Sequence, residues 1–266
     1  MKPLYILKIG GSVATHKNRP GLSVRILLLK KIGQSIKKSQ EKGSFNLILI
    51  HGAGAAGHQL AKKYNLQEGV GLHPKKWYGA LISRIANNKL NTAIAETFTK
   101  VGLKIAPVHT ASAIIQKDKK ISHCNLKMIQ EVLRQNCIPI LYGEMVFDTK
   151  LGMSICSGDA IAPYLAKKLG AKKIMFASDI DGVFTQDPHI YKGAELIEKI
   201  NLEEIDQKAK VSHSHNVDVT GGLLGKINKM EFSDNLQSIE IFNGLVPENY
   251  QKILLGQNFS HTIIFP

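Results

Sequence analysis

Four short glycine-containing stretches of this 266-residue chain carry the residues best suited to chemistry. They are KIGGS (8–12), HGAGAAGH (51–58), SGD (157–159) and DVTGGLLGK (218–226), each following an apolar run or opening a helix-like segment. Glycine allows close backbone approach and exposes amide donors, and a helix start behind it adds positive potential; phosphate sites use both features. One glycine pair is an ordinary turn. Four in one chain, two of them with a lysine (Lys8 and Lys226), point to a phosphate-rich ligand.

Two standard phosphate loops fail on inspection. A Walker A loop needs G-x-x-x-x-G-K-[ST], whereas TGGLLGKI has Thr220 in place of the first glycine and Ile227 after Lys226. GAGAAG has the G-x-G-x-x-G spacing of a dinucleotide site, which requires an acidic residue about 20 positions on, at the end of the next strand. Glu68 falls in that interval but sits in NLQEGVGLHP, which does not read as a strand. The loop also belongs to the second βα unit, not the first. A nicotinamide dinucleotide is therefore not the expected ligand.

These loops need rigid elements behind them, and the hydrophobic pattern supplies candidates. Short apolar runs read as strands at 4–9, 46–50, 103–108, 138–142, 173–177 and 238–242. Amphipathic, lysine-edged stretches read as helices near 23–42, 75–101, 126–136, 158–169 and 222–234. Strands apolar throughout are those covered by helices on both faces, so the alternation predicts an α/β fold around a mostly parallel sheet. EMVFD (144–148) and MSIC (153–156) read as a hairpin inserted into that scheme. With no linker, repeat or low-complexity stretch, one continuous domain over 1–266 is expected.

Composition narrows the function classes. The chain is 44% hydrophobic and 21% charged, an ordinary globular balance. No apolar run approaches the roughly 20 residues that span a bilayer. The opening MKPLYILKIGGS reads as a strand entering a turn rather than an export signal, so a cytoplasmic protein is expected. Cys124, Cys137 and Cys156 form no C-x-x-C pair and are expected to be reduced thiols, not zinc ligands. The net charge is +14, but 31 of the 35 basic residues are lysine, whereas bidentate recognition of phosphates and bases favours arginine. An anionic small substrate, not nucleic acid, is the expected use of that field.

KIGGS, the glycine loop after the second strand, SDIDGVFTQDP (178–188) and DVTGGLLGK, in that order from residue 8 to 226, resemble the amino acid kinase family. The resemblance implies a three-layer αβα sandwich around a mostly parallel twisted sheet, a homodimer, and transfer of the ATP γ-phosphoryl group. It divides the chain into an acceptor-binding lobe over about 1–170 and a nucleotide-binding lobe over about 171–266. Within the family, HGAGAAGH ending in His58, Lys17 after KIGGS, ILYGEMVFD and SGD are similar to the isopentenyl phosphate kinase branch. The implied reaction converts isopentenyl phosphate to isopentenyl diphosphate with ATP and Mg2+. Ala55, Ala56 and Ala160 depart from that branch, which commonly has serine, phenylalanine and aspartate there. The alternatives are a kinase of another small phosphate or phosphonate such as fosfomycin, and a non-catalytic nucleotide-binding protein on the same fold.

Phosphoryl transfer asks a protein mainly for positioning and for neutralisation of charge on the phosphoryl oxygens. Lys8 leaves the first strand beside Gly10 and Gly11, placed to reach the β- and γ-phosphates. The resemblance assigns transition-state stabilisation to Lys17, phosphate contact to Lys226, and organisation of the lysines to Asp159. It places ATP against Ile9, Gly10, Gly11, Ser12, Gly54, Asp179, Asp181, Gly182 and Gly222. The acceptor falls to His58 as hydrogen-bond donor, with Ala53, Gly57 and Gly158. A phosphate monoester has a second pKa of about 6, so near pH 7 its oxygen is already anionic and needs no general base. No protein-bound metal cluster is expected: His213 and His215 lie in a polar stretch, and His51 reads as structural. An apolar tail needs an apolar pocket, for which Trp77, Tyr78, Leu81, Ile82 and Ile85 are the candidates.

Overall fold

In β1 (Leu4–Ile9) and β2 (Asn46–His51) apolar residues follow one another without alternation, and they feed two separate cores. Ile6, Ile48 and Ile50 enter one; Leu7, Ile9, Leu47 and Leu49 enter the other. Such strands need cover on both faces. The computed structural model, which describes residues 2–16, 19, 21–188, 190–202 and 232–266, supplies it as a three-layer αβα sandwich.

The central sheet has eight strands in the order β12-β14-β13-β9-β1-β2-β6-β3. Its further members are β3 (Ile105–Pro107), β6 (Ile138–Tyr142), β9 (Lys173–Ser178), β12 (Lys199–Asn201), β13 (Ser238–Asn243) and β14 (Thr262–Phe265). All neighbours run parallel except β13 and β14. Helices α2 (Ile26–Lys42), α4 (Pro74–Lys100) and α8 (Pro247–Leu254) cover one face through Leu29, Ile32, Leu90, Ile94, Phe98 and Tyr250. On the other face α6 (Leu126–Arg134) and α7 (Gly158–Leu169) contribute Ile129, Ile161 and Leu165. Among the described residues no helix is long and apolar enough to cross a membrane. Cys124 and Cys156 are buried free thiols, and Cys137 is half-buried.

Several predicted bounds shift for identifiable reasons. The helix expected from residue 23 starts at Ile26 because the preceding segment folds back on the first loop. Ser23 accepts from the His16 amide, Arg25 donates to Ala14, and Val24 bridges Thr15. The strand expected over 103–108 shortens to 105–107. The glycine loop itself passes directly into α3 (Gly54–Lys63), and α8 and β14 follow the last strand foreseen. The helix expected at 222–234 lies largely outside the described residues.

The hairpin of β7 (Glu144–Asp148) and β8 (Gly152–Cys156) joins a second hairpin, β4 (Ile114–Lys117) and β5 (Lys120–Cys124), in a four-stranded sheet ordered β5-β4-β7-β8. One carboxylate pins both turns. Asp148 Oδ1 accepts from the amides of Asp118, Lys150 and Leu151 at 3.0, 2.9 and 3.0 Å. Its Oδ2 accepts from the Lys119 amide at 2.8 Å and the Ser154 hydroxyl at 2.7 Å. Burial alone would raise this carboxyl, but the converging donors outweigh it and hold Asp148 far below the usual carboxylate range.

Candidate active site

Parallel strands open at their carboxyl ends, and in this sheet β1, β2 and β9 end side by side. After β1 the chain turns through Gly10 into the short helix α1 (Gly11–Ala14); after β2 it turns through Gly52 and Ala53 into α3. The two turns touch backbone to backbone. A Cβ on Gly11 would stand 2.9 Å from the Gly54 nitrogen, and one on Gly52 only 2.8 Å from the Gly11 nitrogen. Gly54 also has φ +66°, a conformation that disfavours any side chain. Thr15, unremarked in the sequence, staples the turns: its hydroxyl donates to the Gly11 carbonyl at 2.8 Å and accepts from the Ala55 amide at 3.0 Å.

Two cavities meet over these turns. The first, about 450 Å3, is lined by Lys8, Gly10, Gly11, Ser12, Gly54 and His58, with Thr15 and Ser178 beside them. The second, about 150 Å3, is lined by Ala53, Gly57, His58, Gly158 and Asp159, and further in by Ser83, Asn87, Met145 and Ile155. Lys8, Gly11 and His58 border both. His58 is exposed at this junction. The N-termini of α3 and α7 both open here, so backbone amides and helix dipoles favour an anion.

Lys8 and Asp159 form the charged centre. Lys8 Nζ lies 2.7 Å from Asp159 Oδ1, both side chains being mostly buried at 16% and 19% exposure. The N-cap of α7 is Ser157, so Asp159 serves the first turn and the lysine rather than the cap position. Ile9 is fully buried in the core and borders the site through its backbone only; its carbonyl accepts from the Gly52 amide at 3.0 Å. Asp179, Asp181 and Gly182 follow β9 but line neither cavity. Asp181 accepts from Asn243 Nδ2 at 3.1 Å, and Gly182 packs against Thr262. Lys17, Gly222, Lys226, His213 and His215 lie outside the described residues.

His51 is structural, as expected. It is fully buried, stacks on Tyr142 with centroids 5.2 Å apart, and burial lowers its ring to about pKa 4. Both ring nitrogens face oxygens, Nδ1 the Gly52 carbonyl at 2.8 Å and Nε2 the Asn91 Oδ1 at 3.2 Å. A neutral ring that donates from Nδ1 to Gly52 needs the Asn91 amide turned so that its NH2 group donates to Nε2.

The expected tail pocket is corrected. Tyr78, Leu81 and Ile85 are 60%, 45% and 56% exposed on the outer face of α4. Trp77 packs on a satellite cluster with Leu66, Val70 and Met153, its indole N–H donating to the Gly71 carbonyl at 2.9 Å; Ile82 lines neither cavity. The apolar wall comes instead from Met145, Ile155 and Ala61. The same wall contains Glu144, which the sequence reading did not single out. Burial raises its carboxyl, opposed by the Ala111 amide at 2.8 Å and Arg84 Nε at 3.2 Å. Its signal was an acidic residue inside the otherwise apolar run ILYGEMVF.

Among the described residues no three His, Cys, Asp or Glu side chains cluster as metal ligands. A magnesium ion commonly takes its ligands from substrate phosphates and water with one or two carboxylates. A site with one lysine-bound carboxylate fits an ion that arrives with a nucleotide.

The model of the amino acid kinase family matches residues 3–232. The chain is 35% identical to the isopentenyl phosphate kinase of Methanocaldococcus jannaschii, covering 96% of both chains. It is 27% identical to the isopentenyl phosphate kinase of Methanothermobacter thermautotrophicus, covering 98% of both. In fold it is similar to a crystal structure of isopentenyl phosphate kinase, with TM-score 0.84 and 24% identity over 98% of this chain and 99% of that one.

Proposed function

The chain belongs to the amino acid kinase family, and we propose that it transfers the γ-phosphoryl group of ATP directly to isopentenyl phosphate, giving isopentenyl diphosphate. The observation that carries this reading is the pair of cavities sharing Lys8, Gly11 and His58. The larger has room for a nucleotide polyphosphate; the smaller joins a phosphate-binding rim to an apolar wall of Met145, Ile155 and Ala61. A phosphate with a short hydrocarbon tail suits that combination.

In this reading Lys8 neutralises charge that develops on the phosphoryl group in flight, and Asp159 fixes where its ammonium sits. The acceptor oxygen attacks as an anion, so no side chain needs to remove a proton. His58 and the first amides of α3 and α7 hold the acceptor phosphate. Gly10, Gly11, Ser12 and Gly54 line the donor side, and Asp179, Asp181 and Gly182 border the nucleotide further out. Gly222, Lys17 and Lys226, which lie outside the described residues, are assigned to ATP by the family resemblance. Magnesium supplies charge neutralisation on the ATP phosphates. The acceptor lobe spans about 1–170 and the nucleotide lobe about 171–266. The chain works in the cytoplasm as a homodimer, a state supported by the exposed apolar face of α4.

The test is ADP release from magnesium-ATP with isopentenyl phosphate, dimethylallyl phosphate, fosfomycin, acetylglutamate and UMP side by side. Isopentenyl phosphate is expected to give the highest kcat/KM. Faster turnover of fosfomycin or UMP would replace the acceptor assignment, and no ADP with any of the five would overturn the kinase reading.

A further inference from the structure

Ser83, Asn87 and Asn91 recur every fourth residue along α4, and all three are buried, at 3%, 1% and 1% exposure. Polar side chains at helical spacing inside a core are costly unless partnered. Asn91 has its partner in His51. Asn87 does not: its Oδ1 is buried and has no hydrogen-bond partner among the described residues. Asn87 nevertheless lines the smaller cavity together with Ala53, Gly57 and His58.

The position of this amide is specific. A Cβ on Gly57 would stand 2.5 Å from Asn87 Oδ1, so the last glycine of HGAGAAGH leaves the space that the Asn87 amide occupies. That places the amide against the first turn of α3, at the phosphate-binding rim and not at the apolar wall. With Oδ1 turned against Gly57, the other arm of the amide is its NH2 group. An amide NH2 is a donor that an anionic oxygen accepts well.

We propose that Asn87 is a ligand of the acceptor phosphate, donating from Nδ2 beside His58. The assignment rests on the kinase reading above and adds a residue to it.

The experiment compares the wild-type enzyme with Asn87→Ala and Asn87→Asp, using steady-state kinetics with isopentenyl phosphate and ATP, and calorimetric binding of isopentenyl phosphate without ATP. Loss of a hydrogen bond to a charged group lowers kcat/KM for isopentenyl phosphate by roughly ten- to a hundredfold, with KM for ATP unchanged. Asn87→Asp keeps the shape and places a carboxylate against the phosphate. It is expected to bind isopentenyl phosphate more weakly than Asn87→Ala, and to recover as pH falls and the carboxylate is protonated. Thermal stabilisation by ATP checks that each variant is folded; should the alanine variant fail to fold, the near-isosteric aspartate variant carries the test alone. A folded variant with unchanged affinity for isopentenyl phosphate, or with ATP and acceptor affinities falling together, overturns the assignment. A wild-type enzyme without turnover overturns the kinase reading first, whereas an active wild type beside an unaffected variant overturns only the role of Asn87.

Discussion

Lys8 and His58 border the same opening but face different tasks, and substitution should separate them. On the proposed reading Lys8 stabilises charge that grows as the phosphoryl group moves, so Lys8→Ala is expected to lower kcat by roughly a hundred- to a thousandfold. His58→Ala is expected to lower kcat/KM for isopentenyl phosphate by roughly ten- to a hundredfold and leave KM for ATP in place, with His58→Gln recovering part of the loss. Steady-state kinetics with each substrate varied in turn checks both; an ATP-specific defect in His58→Ala would reverse the assignment. At this scale the sequence was partly legible. Lysine beside a glycine turn and histidine ending a glycine loop are local signals. The partnership of Lys8 with Asp159, by contrast, joins residues distant in the chain and exists only because β1 lies beside the start of α7. Thr15 and Asn87 were illegible for the same reason: the residues they meet, Ala55 and Gly57, belong to another element.

At the scale of elements, the tail wall and the hairpin sheet each yield an expectation. Met145 and Ile155 line the smaller cavity whereas Leu81 points outward, so Ile155→Ala should raise the kcat/KM of geranyl phosphate relative to isopentenyl phosphate, and Leu81→Ala should leave that ratio unchanged. Competing-substrate assays read this directly. Asp148, with its carboxyl held far down in the folded state, stabilises the fold above the unfolded-state pKa of about 3.9, and that contribution is lost as pH falls toward its folded value. In Asp148→Asn an NH2 group can replace Oδ2 and face the donors of Lys119 and Ser154, so stability at pH 7 should fall by about 2–3 kcal/mol. Denaturation at a series of pH values should show the gap to wild type narrowing below about pH 4. β1, β2, β6 and β9 were readable to within a residue because continuous apolar runs bounded by turns leave few other options. β4 and β5 were missed because KDKK, which ends one and begins the other, reads as a solvated loop, and pairing with β7 and capture by Asp148 decide their conformation instead. The tail pocket was misassigned by a related failure: a helix that presents large apolar residues outward looks in sequence like one that presents them inward.

For the whole molecule, that outward face sets an expectation about assembly. Tyr78, Leu81 and Ile85 on α4, with Phe147 and Ile115 from the neighbouring hairpins, are all at least 40% exposed, and such faces mark interfaces. Light scattering should give twice the mass of one chain, and the Leu81→Asp, Ile85→Asp double variant should give one. A dimer that survives the double variant would place the interface elsewhere. The two cavities have a consequence of a different kind, because they meet at Lys8, Gly11 and His58, so that on the proposed reading donor and acceptor sit there together. A phosphoryl group that crosses this opening in one displacement leaves donor and acceptor on opposite sides of phosphorus. A γ-phosphate made chiral with oxygen isotopes should therefore emerge inverted, and double-reciprocal plots should intersect. If the imidazole of His58 instead carried the group between two displacements, configuration would be retained and the plots would run parallel.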